Sequence, residues 1–96
     1  MSWRNLLTWR IEVTKDFQKT LKKLDKSTAK RITSKLRDIE KLDDPRSTGK
    51  ALVGNMGGLW RYRVGNYRII CSLEDEILVV LVLDVAHRSK VYRANK

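Results

Sequence analysis

The chain of 96 residues contains one cysteine, one histidine and one proline. A lone cysteine cannot form an internal disulfide, and one histidine with one cysteine leaves only carboxylates as metal ligands. The carboxylates follow no spacing that is typical of a metal site. We therefore expect neither a metal nor a cofactor, and we expect Cys71 to pack in the core as a small apolar residue.

Several functional motifs are also missing. Residues 54–58 are rich in glycine but lack the Lys-Ser/Thr pair of a phosphate-binding loop and the spacing of a dinucleotide fingerprint. No serine lies in an elbow-like context, which disfavours a Ser-His-acid triad built on His87. The longest apolar run, residues 77–83, is far shorter than the ~20 residues of a membrane span, and no signal peptide is visible. These absences predict a cytoplasmic protein that does not bind membranes.

Positive charge, in contrast, is abundant and unevenly placed. The 21 Lys and Arg residues outnumber the 11 Asp and Glu residues, which gives a formal net charge of +10. Residues 46–72 and 86–96 contain basic residues and no acid. Such a distribution is typical of proteins that bind polyanions such as nucleic acids. For the lysines outside these two stretches, a role in solubility alone is an equal alternative.

Apolar periodicity predicts a strand and then two helices. Trp9, Ile11 and Val13 alternate with polar residues, as in a half-buried strand. Thr14 fits the N-cap of a short helix, and the Asp43-Asp44-Pro45 sequence would end a second helix. The apolar stripe of the first helix is Phe17, Leu21 and Leu24, and that of the second is Ala29, Ile32, Leu36, Ile39 and Leu42.

The loop Gly65-Asn66 separates two strand-like segments and predicts a tight β-hairpin. A two-residue loop fixes the register, so that Arg63 lies opposite Arg68 and Arg61 projects from the same face. Like charges in directly opposed positions, with Cβ atoms roughly 4.5–5.5 Å apart, destabilise a sheet unless an anion lies between or above them. The hairpin therefore predicts an anion-binding site.

The remaining segments complete an α+β fold. Residues 46–58 show little periodicity and are predicted to form a loop, while residues 77–83 predict a central strand. The expected order is β-α-α-β-β-β, with an α-helical hairpin on one face of a mostly antiparallel sheet of about four strands. We expect a single domain over residues 1–96.

The last predicted strand leads into a second basic segment, Ala-His-Arg-Ser-Lys-Val-Tyr-Arg at residues 86–93. If that strand lies beside the second hairpin strand, Arg88 is brought near Arg68. Guanidinium groups bind phosphate in a bidentate manner, and an aromatic ring such as Tyr92 stacks on an unpaired base, which favours single-stranded RNA as the ligand. Packing is the alternative role for Tyr92, and an ordinary loop position is the alternative for His87. The further RNA-binding candidates are Lys50, His87, Lys90 and Arg93.

The chain from about Trp9 onward, most clearly residues 59–93, resembles the RelE branch of the RelE/ParE toxin superfamily. The resemblance lies in Leu-Trp-Arg-Tyr-Arg-Val-Gly-Asn-Tyr-Arg-Ile-Ile and in Val-Ala-His-Arg-Ser-Lys-Val-Tyr-Arg. It implies a RelE-like microbial RNase fold and a toxin that cuts mRNA in the ribosomal A site without a cofactor. The implied partners are a RelB-like antitoxin, the ribosome with its 16S rRNA, and mRNA, with DNA contacted only through the antitoxin.

The resemblance also implies roles for five candidate catalytic residues. Arg61 and Arg63 would flank the scissile phosphate, and Arg68 would clamp it. Arg88 would assist the leaving group, and Tyr92 would stack on the mRNA. The alternatives are a ParE-like inhibitor of DNA gyrase without nuclease activity and a non-catalytic RNA- or ribosome-binding module.

One departure from the family pattern concerns the general base. Arg61 and Arg63 stand where lysines are known, and arginine stays protonated, so neither is suited to removing the 2′-hydroxyl proton. His87 is one candidate base. We favour the alternative, in which the site stabilises the charge that develops on the phosphorane while the ribosome arranges the substrate.

Overall fold

The computed structural model describes residues 9–54 and 57–87, which form two helices and a five-stranded sheet. The predicted α+β class is confirmed. The elements in chain order are β1 (Arg10–Val13), α1 (Lys15–Lys23), α2 (Lys26–Glu40), a 3₁₀ turn (Pro45–Ser47), β2 (Lys50–Ala51), β3 (Trp60–Val64), β4 (Tyr67–Glu74) and β5 (Val79–His87).

Polar side chains cap both helices. The Thr14 hydroxyl accepts a hydrogen bond from the Phe17 N–H at 3.1 Å and donates one to the Leu83 carbonyl at 2.7 Å, so the start of α1 is fixed to β5. Asp25 caps α2. Hydrogen bonds from Thr28, and then from Ser27, lower the pKa of Asp25 to about 2.

The sheet order is β1-β5-β4-β3-β2, in which β1 is parallel to β5 and the other pairs are antiparallel. The main core lies between this sheet and the helices. Ile32 and Ile39 of α2 are buried there to 1% exposure or less. Burial of such side chains stabilises the fold by about 1.5–3 kcal/mol each. The sheet residues buried to the same extent in this core are Tyr62, Ile69, Cys71, Val80 and Val82.

The structure corrects the predicted boundaries in two places. The segment predicted as a loop contains β2, whose two residues pair with β3. This pairing depends on Gly49, at φ +80°, because a Cβ there would lie 2.5 Å from the Arg61 carbonyl oxygen. In addition, α2 ends at Glu40 before Leu42, and Ile77 precedes β5 in a turn where it is 63% exposed.

Cys71 is buried in the core as predicted, and burial raises the pKa of its thiol to about 12. Among residues 9–54 and 57–87, no group of three or more potential ligands could hold a metal ion. In the same ranges, no helix is sufficiently long and apolar to cross a bilayer.

Candidate anion-binding site

The β3–β4 hairpin has the predicted register. Arg63 lies directly opposite Arg68, and Arg61 lies opposite Ile70. Because side chains alternate along each strand, Arg61, Arg63 and Arg68 project from the face of the sheet that is opposite to Tyr62 and Ile69. We call this surface, defined by the three arginines, the arginine face.

Arg68 is the residue of the arginine face that most clearly lacks a hydrogen-bond acceptor among the described residues. Its Nε atom is buried and has no hydrogen-bond partner within the part of the chain that the structure describes. A buried donor without a partner costs about 1–3 kcal/mol, and more when the group is charged. An anion placed against the Arg68 guanidinium would supply the missing acceptor.

The neighbouring positive charges also affect Arg61. Its pKa is lowered, first by burial and then by the positive charges of Arg68 and Arg63. The ion pairs in the described ranges are Arg10 with Glu12 at 3.0 Å and Arg46 with Asp75 at 2.7 Å, so none involves the arginine face. The three guanidinium groups therefore repel one another, and no carboxylate of residues 9–54 or 57–87 forms an ion pair with them.

A hollow of about 270 Å³ lies where β2 meets β3. The pairing of Lys50 with Arg61 brings Lys50, one of the RNA-binding candidates, to this hollow together with Arg63. The hollow is lined by Lys35, Gly49, Lys50, Arg61, Tyr62 and Arg63, and this set includes no acid. Four cations thus surround one small acid-free space.

Sequence reasoning missed Lys35, which comes from α2. Its signal is weak, because lysines occur throughout both helices and only its position beside the buried Leu36 distinguishes it. That position makes Lys35 half-buried at the border of the packed stripe. The contribution of a helical cation to the site therefore follows from the packing of α2 on β3.

Tyr62 supports this site from beneath. Its side chain is 0% exposed, and its hydroxyl donates a 2.6 Å hydrogen bond to the Pro45 carbonyl. Burial raises the pKa of the Tyr62 hydroxyl, so the phenol stays protonated and keeps this bond. The bond connects β3 to the turn that precedes β2.

The structure does not bring His87 together with the arginines. His87 pairs with Tyr67, while the neighbouring Ala86 pairs with Arg68. The His87 and Tyr67 rings meet edge to face, with centroids 5.1 Å apart. Since Tyr67 alternates with Arg68, the His87 ring lies on the helix side of the sheet, away from the arginine face.

The last strand lies beside β4, which is the condition under which Arg88 would approach Arg68, and it ends next to Arg68. The other candidates from the C-terminal basic segment, which are Arg88, Lys90, Tyr92 and Arg93, lie outside the described residues. Their convergence with the arginine face stays a prediction.

Comparison with known families defines the class of protein. Residues 11–92 match the family model for the ParE toxin of the type II toxin-antitoxin system parDE. Because this match spans most of the chain, the chain belongs to this toxin family, within the RelE/ParE superfamily.

Two curated relatives are toxins of Mycobacterium tuberculosis. The chain is 36% identical to Toxin RelG over 50 residues, which cover 52% of this chain and 58% of that toxin. It is 35% identical to Toxin RelE over 54 residues, which cover 56% of each chain. The matched segments thus span little more than half the length of these relatives.

Solved structures show the same fold over a larger share of the chain. The RelBE2 toxin-antitoxin complex of Mycobacterium tuberculosis aligns with a TM-score of 0.76 at 24% identity, covering 88% of this chain and 97% of that chain. The RelE-RelB complex of Pyrococcus horikoshii aligns with a TM-score of 0.68 at 26% identity, covering 88% and 99%. The isolated RelE toxin of E. coli aligns with a TM-score of 0.68 at 25% identity, covering 91% and 94%.

Proposed function

We propose that this toxin is a ribosome-dependent endoribonuclease that cuts mRNA in the A site, through attack of a ribose 2′-hydroxyl on the adjacent phosphate. The observation that supports this proposal is the opposition of Arg63 and Arg68 on the arginine face, where the buried Nε of Arg68 has no partner in the described part of the chain. Phosphate oxygens accept two parallel hydrogen bonds from a guanidinium group, so a phosphate fits these donors.

The arginine face would act by electrostatic stabilisation. During the attack, negative charge increases on the phosphorane oxygens, and cations fixed in advance bind that state more tightly than the ground-state phosphate. Arg68 would clamp the phosphate, while Arg61 and Arg63 would flank it. Because Arg61 and Arg68 are partly buried, their interaction with the phosphate is screened less than it would be at an open surface.

Among the described residues, the arginine face itself contains no suitable general base. Arginines stay protonated, and His87 lies on the other face of the sheet. The reaction would therefore depend on placement of the 2′-hydroxyl in line with the phosphate, which the ribosome would provide by holding the mRNA. It follows that the pure protein should cut free RNA slowly. Arg88 would assist the leaving group and Tyr92 would stack on the mRNA, as the family resemblance implies.

The proposed regulatory partner is a RelB-like antitoxin. Several structural neighbours are complexes of RelE toxins with RelB antitoxins, among them that of Pyrococcus horikoshii. An acidic or amphipathic antitoxin would neutralise the basic surface, and this toxin would contact DNA only through that partner. We propose that the toxin acts in the cytoplasm, where ribosomes and mRNA meet.

Primer extension on a defined mRNA in a purified translation system tests this function. We expect cuts within the A-site codon that require ribosomes and are lost in Arg68→Ala, Arg88→Ala and Tyr92→Phe. Arg10→Ala is the matched control, since Arg10 is an exposed arginine that already pairs with Glu12. Rapid and specific cutting of naked RNA would contradict the proposed dependence on the ribosome.

A second candidate is inhibition of DNA gyrase by binding, which a resemblance to ParE toxins implies; residues 11–92 match the ParE toxin family. In that case the protein would be toxic although the mRNA stays intact, and Tyr92→Phe would have little effect on toxicity. If the protein is only an RNA- or ribosome-binding module, the same variants would weaken binding uniformly and no cut ends would appear.

A further inference from the structure

Lys35 of α2 faces two neighbouring hollows. One is the acid-free hollow of about 270 Å³ that Lys35 shares with Lys50, Arg61 and Arg63. The other, of about 320 Å³, lies toward the hairpin turn at Gly65. Both Lys35 and Arg63 line the two hollows, so these two cations stand at the boundary between them.

Arg31 extends the same row of charges along α2. It lies four residues before Lys35, a spacing that places both side chains on one side of the helix. The Arg31 guanidinium approaches the hairpin turn so closely that a Cβ at Gly65 would lie 2.7 Å from its Nη2 atom. The cations therefore continue from the arginine face, across the β3 edge, to the helical layer.

The acid-free hollow suits a phosphate better than its neighbour does. Asp38 lines the hollow toward Gly65, whereas the other hollow has four cations and no carboxylate. In the described ranges, no carboxylate oxygen lies within ion-pair distance of Lys35. A half-buried ammonium among three other cations is unfavourable by itself and becomes favourable when an anion occupies the space.

We infer that Lys35 is a substrate-binding residue, which holds a second phosphate of the same single-stranded RNA whose scissile phosphate lies against Arg68. This inference rests on the proposed function and adds a contact from the helical layer to it. A single strand carries one charge per nucleotide, so a backbone that leaves Arg68 presents its next phosphates to further cations. Lysine is suited to this role, because its compact charge on a flexible chain binds phosphate without a fixed orientation.

The test is the salt dependence of RNA binding. A short single-stranded RNA with 2′-O-methyl riboses cannot be cut by 2′-hydroxyl attack, and its Kd can be measured by fluorescence anisotropy over a range of salt concentrations. Each lost phosphate contact lowers the slope of log K against log salt by about 0.7 for a single strand. We expect Lys35→Ala to show this decrease and Lys35→Arg to retain the wild-type slope.

Lys30→Ala is the matched control. Lys30 is an exposed lysine of the same helix that lines a different groove, beside Ala29 and Thr33. We expect it to keep the wild-type slope. In the ribosome assay, Lys35→Ala should raise KM with little change in kcat, since it removes a contact that is equal in the ground and transition states.

The outcomes separate this inference from the function on which it rests. If Arg61→Ala lowers the slope while Lys35→Ala behaves as Lys30→Ala does, the role of Lys35 is overturned and the arginine face stands. If neither Arg61→Ala nor Lys35→Ala changes the slope, both are overturned. Thermal unfolding checks that each variant is folded, and Lys35→Gln replaces Lys35→Ala in the comparison if the alanine variant is unstable.

Discussion

The two faces of β3 make opposite contributions to the protein. On the helix side, Tyr62 is 0% exposed and its hydroxyl bonds to the Pro45 carbonyl. On the other side, Arg61 and Arg63 repel each other and Arg68, without a carboxylate in ion-pair distance among the described residues. One face of this short strand thus stabilises the fold, and the other destabilises it through repulsion between like charges. This pattern is typical of a functional surface.

Charge alone does not distinguish the arginine face. The helices also have many cations, but most of them are exposed to water, which solvates them and screens their repulsion. The arginine face differs because Arg63 and Arg68 are opposed in register, Arg61 and Arg68 are partly buried, and the Arg68 Nε has no hydrogen-bond partner among the described residues. Opposition and burial of like charges are therefore a stronger indication of a site than net charge.

The largest expected effect comes from a substitution on the arginine face. We predict that Arg68→Ala lowers the rate of ribosome-dependent mRNA cleavage by about 100- to 1,000-fold, since it removes one prearranged charge from the transition state. Cleavage rates on programmed ribosomes measure this effect, with Arg10→Ala as the control. A rate within a few-fold of wild type would show that Arg68 does not contact the reacting phosphate.

A substitution on the helix side of β3 should lower stability and leave the cleavage rate unchanged. We predict that Tyr62→Phe lowers the free energy of unfolding by about 1–2 kcal/mol, because the buried Pro45 carbonyl loses its hydrogen-bond donor. Cleavage per folded molecule should be unchanged. Denaturant unfolding and the cleavage assay, performed on the same preparation, test both statements, and a loss of cleavage without a loss of stability would break the distinction between the two faces.

A small gain in stability is expected from a substitution on the arginine face. Arg63→Gln removes one of two like charges in directly opposed positions, which should raise the free energy of unfolding by about 0.2–1 kcal/mol. The gain should shrink as salt is added, because salt screens the repulsion that the substitution removes. A decrease in stability at low salt would show that Arg63 contributes more through packing than it costs through repulsion.

The smallest effect concerns pH. The lowered pKa of Arg61 means that the folded state disfavours its proton, but arginine still stays charged throughout the working range. We predict a cleavage rate that is constant between about pH 6 and 8, since His87 lies on the other face. A rate that falls with a midpoint near the ordinary histidine pKa, and a His87→Gln variant that abolishes this dependence, would contradict the account.

The hairpin and the helix caps could be predicted because local chemistry determines them. The two-residue loop at Gly65-Asn66 fixes the pairing of Arg63 with Arg68, and Thr14 was identified as a cap from the sequence alone. The arginine face follows directly from that register. Hence the part of the site that depends on neighbouring residues in the chain was accessible without a structure.

The rest depends on contacts between distant segments. β2 has only two residues, too few to show a period, and it forms because Gly49 permits a close approach to β3. The face occupied by His87 depends on how β5 pairs with β4, and that register shifts between Ile70 and Cys71. Lys35 likewise reaches the site only through the packing of α2.

The central claim is that the Arg68 Nε–H, which has no partner within residues 9–54 and 57–87, binds the phosphate of the RNA. Nitrogen-15 NMR observes arginine Nε–H groups directly, so titration with the 2′-O-methyl RNA measures this group in the wild-type protein. The account predicts a large shift of the Arg68 Nε–H signal at a lower RNA concentration than any change at exposed helical residues such as Lys22. An unchanged Arg68 signal at RNA concentrations that saturate binding would contradict it.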